Sequence, residues 1–300
     1  MKDLIIIGAG PAGLTAAIYA LRAKKSVLLI EKAAMGGQMT FSPLIENYPG
    51  MLALSGNELA DKMVDHALSL GADVELDEVT GIEDKGDYKV VKALGGEYEA
   101  KAVIVATGAK HRHLGVDREE ELTGRGVSYC AVCDGAFFAG QDVVLAGGGN
   151  SAMQEALLLS ETCKSVTMIQ NLAFLTGEET LKEKLAAKEN ISVIYESVVT
   201  GIEGGDALTG VTIKNTATGE TRTISADGLF VAIGLLPDTG AFEGTIDLNE
   251  YGYVAADERC LTNVPGVFTA GDCRTKAVRQ VSTAAADGAV AALAAVRYIG

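Results

Sequence analysis

DLIIIGAGPAGLTAAIYALRAKKSVLLIE, residues 3–31, returns 139 residues later as DVVLAGGGNSAMQEALLLSETCKSVTMIQ, residues 142–170, with no gap between the two copies. Each copy is an apolar run, a glycine-rich turn, and an Ala/Leu-rich segment with apolar residues at helical spacing. K-S-V then opens a second apolar run. That order predicts a βαβ unit, and the uninterrupted apolar strands suit a parallel sheet. In the first copy Gly8, Gly10 and Gly13 form G-x-G-x-x-G. One glycine permits the tight turn, one lets the backbone approach a pyrophosphate, and one lets the helix pack closely on the strand. Glu31 ends the second strand about 20 residues further on, where an acid accepts from a ribose hydroxyl. The second copy has Gly147, Gly149 and Ala152 at the glycine positions.

Outward from the repeats, Val74 to Ile104 is a run of short strand-like stretches, read as an antiparallel meander, and Val193 to Ile224 is a second one. KAVIVATGA (101–109) reads as a strand ending in a turn, and GLFVAIGLLPDTG (228–240) repeats that idea. GVFTAGDC (266–273) precedes a long Ala-rich helix from Val281 to Tyr298. The fold class is therefore α/β, with two Rossmann-like nucleotide-binding domains of three-layer β/β/α type, the second inserted into the first. The expected domains are 1–114 with 243–300, and 115–242, with junctions near Leu114 and Phe242.

The chain has 300 residues, a 48% apolar share, no Trp and a formal net charge of −15. Such a charge excludes a nucleic-acid binder, because no extended face would neutralise phosphates. LIIIG enters a glycine turn and reads as a strand, not a signal peptide. No apolar stretch approaches the roughly 18–20 residues of a membrane helix, so the expectation is a soluble, cytoplasmic protein. The five cysteines, 130, 133, 163, 260 and 273, are odd in number and irregularly placed, which fits a reducing compartment. SYCAVCDG (128–135) sets two of them at C-x-x-C spacing with Asp134 behind. Zinc would need two further ligands, but the other cysteines do not pair at ligand spacing and the three histidines lie elsewhere. The pair is read as redox-active, and two intervening residues let the sulfurs meet in a small ring.

Taken together, GAGPAGLTAAIYALRA, GGQM (36–39), ENYPG (46–50), VIVATGA, SYCAVCDG, GGGNSAMQEA and GVFTAGDCRTKAVRQVSTAAADG make the chain resemble the low-molecular-weight thioredoxin reductases over essentially its whole length. Larger flavin disulfide reductases carry their cysteines just after the first glycine-rich unit, where this chain has GGQM. The resemblance implies an FAD enzyme, with Gly8, Gly10, Gly13, Glu31, Gln38, Asn47, Thr107, Asp272, Arg279, Gln280 and Val281 as cofactor contacts. It implies Cys133 as the flavin-proximal sulfur and Cys130 as the interchange thiol that attacks a thioredoxin disulfide. Asp134 is implied as the acid that protonates the leaving thiolate. It also implies a homodimer and domains that rotate about short linkers.

One stretch departs from the family. A standard member follows the second repeat with a histidine, two arginines and, a few residues on, another arginine, which hold the 2′-phosphate of NADPH. Here MIQNLAFLTGEE (168–179) puts Gln170, Asn171, Leu172 and Thr176 at those positions, and Glu178 and Glu179 follow. Each lost hydrogen bond to a charged group removes about 1.5–3 kcal/mol, so NADPH is not the expected donor. NADH is weakened, because Gln170 stands where an acid would serve. The expected donor is reduced ferredoxin, as in a variant branch of the family, with Lys110–His113 or Arg22–Lys25 as the basic docking patch. The alternatives are an NADH- or NADPH-dependent thioredoxin reductase and, in another class, a flavin-bearing sensor or binding module.

Overall fold

The first apolar run forms β1 (Lys2–Ile7), and Pro11 opens α1 (Pro11–Arg22) directly after the glycine turn. The chain continues through β2 (Val27–Glu31), α2 (Gly56–Ser69), β3 (Asp73–Leu76), β4 (Val79–Asp84), β5 (Lys89–Ala93) and β6 (Gly96–Val105). This is a computed structural model that describes residues 1–42, 45 and 47–300; Glu46 of ENYPG lies outside them. After β7 (Ala109–His111) come β8 (Val127–Ser128), α3 (Ala131–Asp134), β9 (Asp142–Ala146), α4 (Asn150–Ser160), β10 (Ser165–Ile169) and α5 (Glu179–Ala186). Next are β11 (Ile191–Ile194), β12 (Ser197–Gly204), β13 (Leu208–Asn215), β14 (Thr221–Ser225), β15 (Gly228–Val231) and β16 (Leu235–Pro237). β17 (Val267–Thr269) and α6 (Val281–Ile299) complete the chain.

Two compact units result, Met1–Lys110 with Leu236–Gly300, and His111–Leu235. In the first, β1 pairs in parallel with β2 on one side and β6 on the other, and β2 pairs in parallel with β3. β6 is long because it serves two layers. Its first half pairs antiparallel with β5 of the β4–β5 hairpin, and its second half runs parallel to β17. Residues of β1 alternate between the two faces: Leu4 and Ile6 pack with the helices, Ile5 and Ile7 with the meander side. α2 is fixed at its start by a capping box, Glu58 N–H to Ser55 Oγ at 3.2 Å and Ser55 N–H to Glu58 Oε2 at 2.7 Å.

The second unit repeats the plan with a parallel sheet in the order β11-β10-β9-β15-β8 and a separate antiparallel sheet, β12-β13-β14. Val144 and Ala146 face the antiparallel layer, while Val143 and Leu145 face α4 and α5. In both units the strand that opens the expected meander, β3 or β11, instead extends the parallel sheet at its edge. The junctions also shift. Leu114 packs into the core of the second unit and Phe242 is buried in that of the first, so the chain crosses at Lys110/His111 and at Leu235/Leu236. No helix among the described residues is long and apolar enough to cross a membrane.

Candidate functional site

The first glycine turn is built to hold the backbone open at the end of β1. Gly8 has φ +103°, and a Cβ there would lie 2.4 Å from Ala106 O. A Cβ on Gly13 would sit 1.8 Å from Gly8 O, so α1 can approach the strand only with glycine at that position. Gly10 faces Gly37, next to Gln38 in the 3₁₀ turn Gly37–Phe41. Glu31 accepts from Ala9 N–H at 2.8 Å and Ala33 N–H at 3.0 Å, which fixes its carboxylate beside the turn. β6 and β17 end side by side, and just beyond them stand Thr107 and Asp272. Thr107 Oγ1 and Asp272 Oδ1 are both buried with no hydrogen-bond partner, and burial pushes the Asp272 pKa up. Each buried polar atom left unpaired costs about 1–3 kcal/mol, so this cleft fits a polar ligand that supplies the missing bonds.

The remaining candidates close the same side of the first unit. Arg279 lies over the Tyr253 ring at 4.3 Å and directs Nε at Asp272 O, 3.4 Å away. Asn47 Nδ2 donates to Gln280 Oε1 at 3.1 Å; Gln280 caps α6 and Val281 begins it. A phosphate-approachable turn, an acid at the second strand end and two orphaned oxygens at the third and fourth fit a flavin dinucleotide.

In the second unit Cys130 and Cys133 are joined by a disulfide, with Cα atoms 5.3 Å apart. Cys130 is the N-cap of the single turn α3, and its Sγ accepts from Cys133 N–H at 3.2 Å. Ser128, which the sequence reading did not single out, holds the motif together. Its Oγ accepts from Cys130 N–H at 3.1 Å and donates to Asp134 Oδ2 at 2.6 Å. Asp134 Oδ1 is buried without a partner, and burial raises the pKa of this carboxyl, favouring its protonated form. Tyr129 donates to Glu119 Oε1 at 2.8 Å, so its oxygen is left to accept from His113 Nδ1 at 2.9 Å. Glu119 is itself fixed by Leu114 and Gly115 N–H, each at 2.8 Å. Cys163, Cys260 and Cys273 are free and buried, and among the described residues no group of three His, Cys, Asp or Glu side chains is placed to hold a metal.

The second glycine turn is occupied differently from the first. Gln170 is buried, its Nε2 donates to Phe174 O at 2.8 Å, and its amide fills the space where a Cβ on Gly148 would lie. Thr176 N–H donates to Gly148 O at 2.9 Å. At the start of α4, Asn150 accepts from Glu178 N–H at 2.8 Å and donates to Glu178 Oε1 at 3.3 Å. A carboxylate, not a cation, stands there.

Comparison with known proteins agrees with these features. Residues 2–288 match the pyridine nucleotide-disulphide oxidoreductase family. The chain is 43% identical to thioredoxin reductase of Bacillus subtilis, over 99% of this chain and 94% of that one. It is 42% identical to a 34.2 kDa protein in the rubredoxin operon of Clostridium pasteurianum, over 99% and 97%. A solved structure of thioredoxin reductase from Streptococcus pyogenes superposes with a TM-score of 0.94 at 43% identity, covering 99% of this chain and 98% of that one.

Proposed function

The chain belongs to the pyridine nucleotide-disulphide oxidoreductase family, among its low-molecular-weight thioredoxin reductases, and is a flavin disulfide oxidoreductase; from that premise we propose that it reduces thioredoxin through Cys130–Cys133 with electrons from reduced ferredoxin. The observation that carries the first part is the disulfide with a buried carboxyl hydrogen-bonded into its own turn. FAD bound at the first glycine turn supplies a two-electron carrier between donor and disulfide. Gly8, Gly10, Gly13 and Gln38 would hold its pyrophosphate, Glu31 its adenosine ribose, and Thr107, Asp272 and the segment Arg279–Val281 its flavin half, with Asn47 bonded to Gln280.

Within the open pair we assign Cys133 as the sulfur that receives the electrons and Cys130 as the one that attacks thioredoxin. Cys130 thiolate displaces one thioredoxin sulfur, forming a mixed disulfide. Cys133 then attacks Cys130, restoring the enzyme disulfide and releasing the second thioredoxin sulfur. Asp134 gives the proton that the leaving thiolate needs and recovers it in reverse.

The second turn supports the choice of donor. Gln170, Asn171, Leu172 and Thr176 replace every cation that would bind a 2′-phosphate, and Gln170 is already committed to Phe174 O. Of the two basic stretches, Arg22–Lys25 lies where β2 begins, about 16 Å of strand from the end that carries Glu31, which removes it from the cleft. Burial holds His111 near a pKa of about 4, so it is uncharged. Lys110 and Arg112 remain as the cations for an acidic donor. The test mixes the oxidised flavoprotein anaerobically with NADPH, NADH and reduced ferredoxin in turn. Ferredoxin alone should bleach the flavin, and added thioredoxin disulfide should restore the colour repeatedly. Rapid bleaching by micromolar NADPH refutes the donor assignment, and a flavin that is reduced yet never turns over with thioredoxin favours a sensor.

A further inference from the structure

The cofactor cleft rests on a charged cluster that the assignments above leave unused. Asp287 lies on the buried face of α6, and its carboxylate takes bonds from three residues. Oδ2 accepts from Gly271 N–H at 3.0 Å, Arg274 Nε at 2.9 Å and Lys276 Nζ at 2.9 Å, and Oδ1 accepts from Arg274 Nη2 at 2.8 Å. Arg274 and Asp287 are both buried, and the Lys276 side chain is enclosed with them. We propose that Asp287 is a positioning residue for the cofactor: it grips the chain on both sides of Asp272 and so sets the carboxyl that meets the flavin dinucleotide. This rests on the reading of that cleft as the FAD site.

The geometry follows from where β17 stops. Ala270 N–H still reaches β6, at Val105 O 2.9 Å away. The chain then turns through the 3₁₀ segment Gly271–Cys273, with Gly271 at φ +78°. Gly271 N–H has left the ladder, and a buried N–H needs an acceptor; Asp287 supplies it. On the other side of Asp272, Arg274 clasps the same carboxylate with two bonds from its guanidinium, whose planar fork suits an acid. One side chain therefore pins the segment at both 271 and 274. Asp272 depends on that grip. Its Oδ1 is buried with no partner, so no bond at that atom aims the carboxyl, and the turn backbone must do so.

Asp287 is itself held in register with the first glycine turn. A Cβ on Gly288, the next residue, would lie 2.2 Å from Ala12 O, and one on Gly271 would lie 2.8 Å from Ala12 Cβ. α6 and the Asp272 turn thus both press on the start of α1, where the glycine turn ends. Arg274 has a second, exposed acid in Glu258, 3.4 Å from Nη2, so a neutral residue at 287 does not strip this cation of every partner.

The experiment titrates the full-chain apoprotein with FAD by calorimetry in a mutant cycle: wild type, Asp287→Asn, Asp272→Ala and the double variant. Asp287→Asn should raise the FAD Kd about tenfold, the scale of coupling between residues of one hydrogen-bonded network. With Asp272→Ala already present, the same substitution should change Kd by less than about threefold, because the carboxyl it positions is gone. An Asp287→Asn Kd within about threefold of wild type overturns the proposal. So does an equal loss in both backgrounds, which is what a network that only stabilises the fold would give. Should Asp287→Asn not fold, Arg274→Gln releases the far side of the turn and leaves Asp287 paired one-to-one with Lys276; the same cycle run with that variant decides by the same outcomes. A wild type that binds no FAD refutes the flavin reading itself and this inference with it, whereas equal FAD affinity in wild type and Asp272→Ala refutes the inference alone.

Discussion

Asp272→Ala tests the cofactor cleft through two opposite effects. In the protein without flavin, Asp272 Oδ1 is buried and unpaired, and burial already disfavours its charge. Removing it relieves a cost of about 1–3 kcal/mol, set against the small volume the side chain leaves empty. The apoprotein should therefore unfold at the same temperature as the wild type or slightly above it. FAD binding moves the other way. A hydrogen bond from a ribitol hydroxyl to a charged acceptor contributes about 1.5–3 kcal/mol, which is roughly a 10- to 150-fold rise in Kd at about 1.4 kcal/mol per decade. Calorimetric titration of apoprotein with FAD measures that rise, and thermal unfolding with and without FAD measures both effects together. Asp272→Asn, which keeps a neutral acceptor, should fall between. An FAD affinity within threefold of wild type, or an apoprotein destabilised as much as the holoprotein, would refute the assignment of this carboxyl to the cofactor.

Gly13→Ala places a methyl 1.8 Å from Gly8 O; the purified protein should carry little or no flavin, read as the ratio of visible to ultraviolet absorbance. Cys130→Ser should retain full flavin content and lose thioredoxin reduction by several orders of magnitude in a turnover assay with an artificial reductant. Glu155, on α4 with its Oε2 buried and unpaired, should shape stability against pH. Its folded pKa of about 7 lies above the 4.5 of the free side chain, so the stability this group contributes is fully present below about 4.5 and is lost as pH rises toward 7. The loss is at most about 3 kcal/mol, and Glu155→Gln should escape it; the gap between their unfolding midpoints should widen from pH 5 to pH 7.5 and then stay constant.

The two βαβ units were legible because their signals are local: glycines at fixed spacing, helical apolar periodicity and apolar strands. β3 and β11 were not, because Asp73–Leu76 and Ile191–Ile194 are short and contain no fully buried residue, and only their long-range parallel partners decide which sheet they join. The junctions were misplaced for a related reason. Leu114 and Phe242 carry no local mark of which core will bury them. At the disulfide, C-x-x-C-D was plain, but Ser128 reads as any small polar residue until its hydroxyl is seen bridging Cys130 N–H and Asp134.

The two copies of the repeat also explain why the sequence departure at residue 170 carries weight. Equivalent strand ends meet equivalent glycine turns, so the side chain there faces the same task in each. Glu31 has both carboxylate oxygens fixed by backbone N–H groups, Ala9 and Ala33, which hold the acid in place beside the turn. Gln170 instead spends its amide N–H on Phe174 O and fills the space beside Gly148. Exchanging Gln170 alone for an acid would place a carboxylate against a carbonyl in a buried position, so recovering a ribose site requires the 171–176 segment to move as well. The second turn is thus committed to internal packing as a unit, and that packing supports the proposal of a donor that needs no nucleotide pocket.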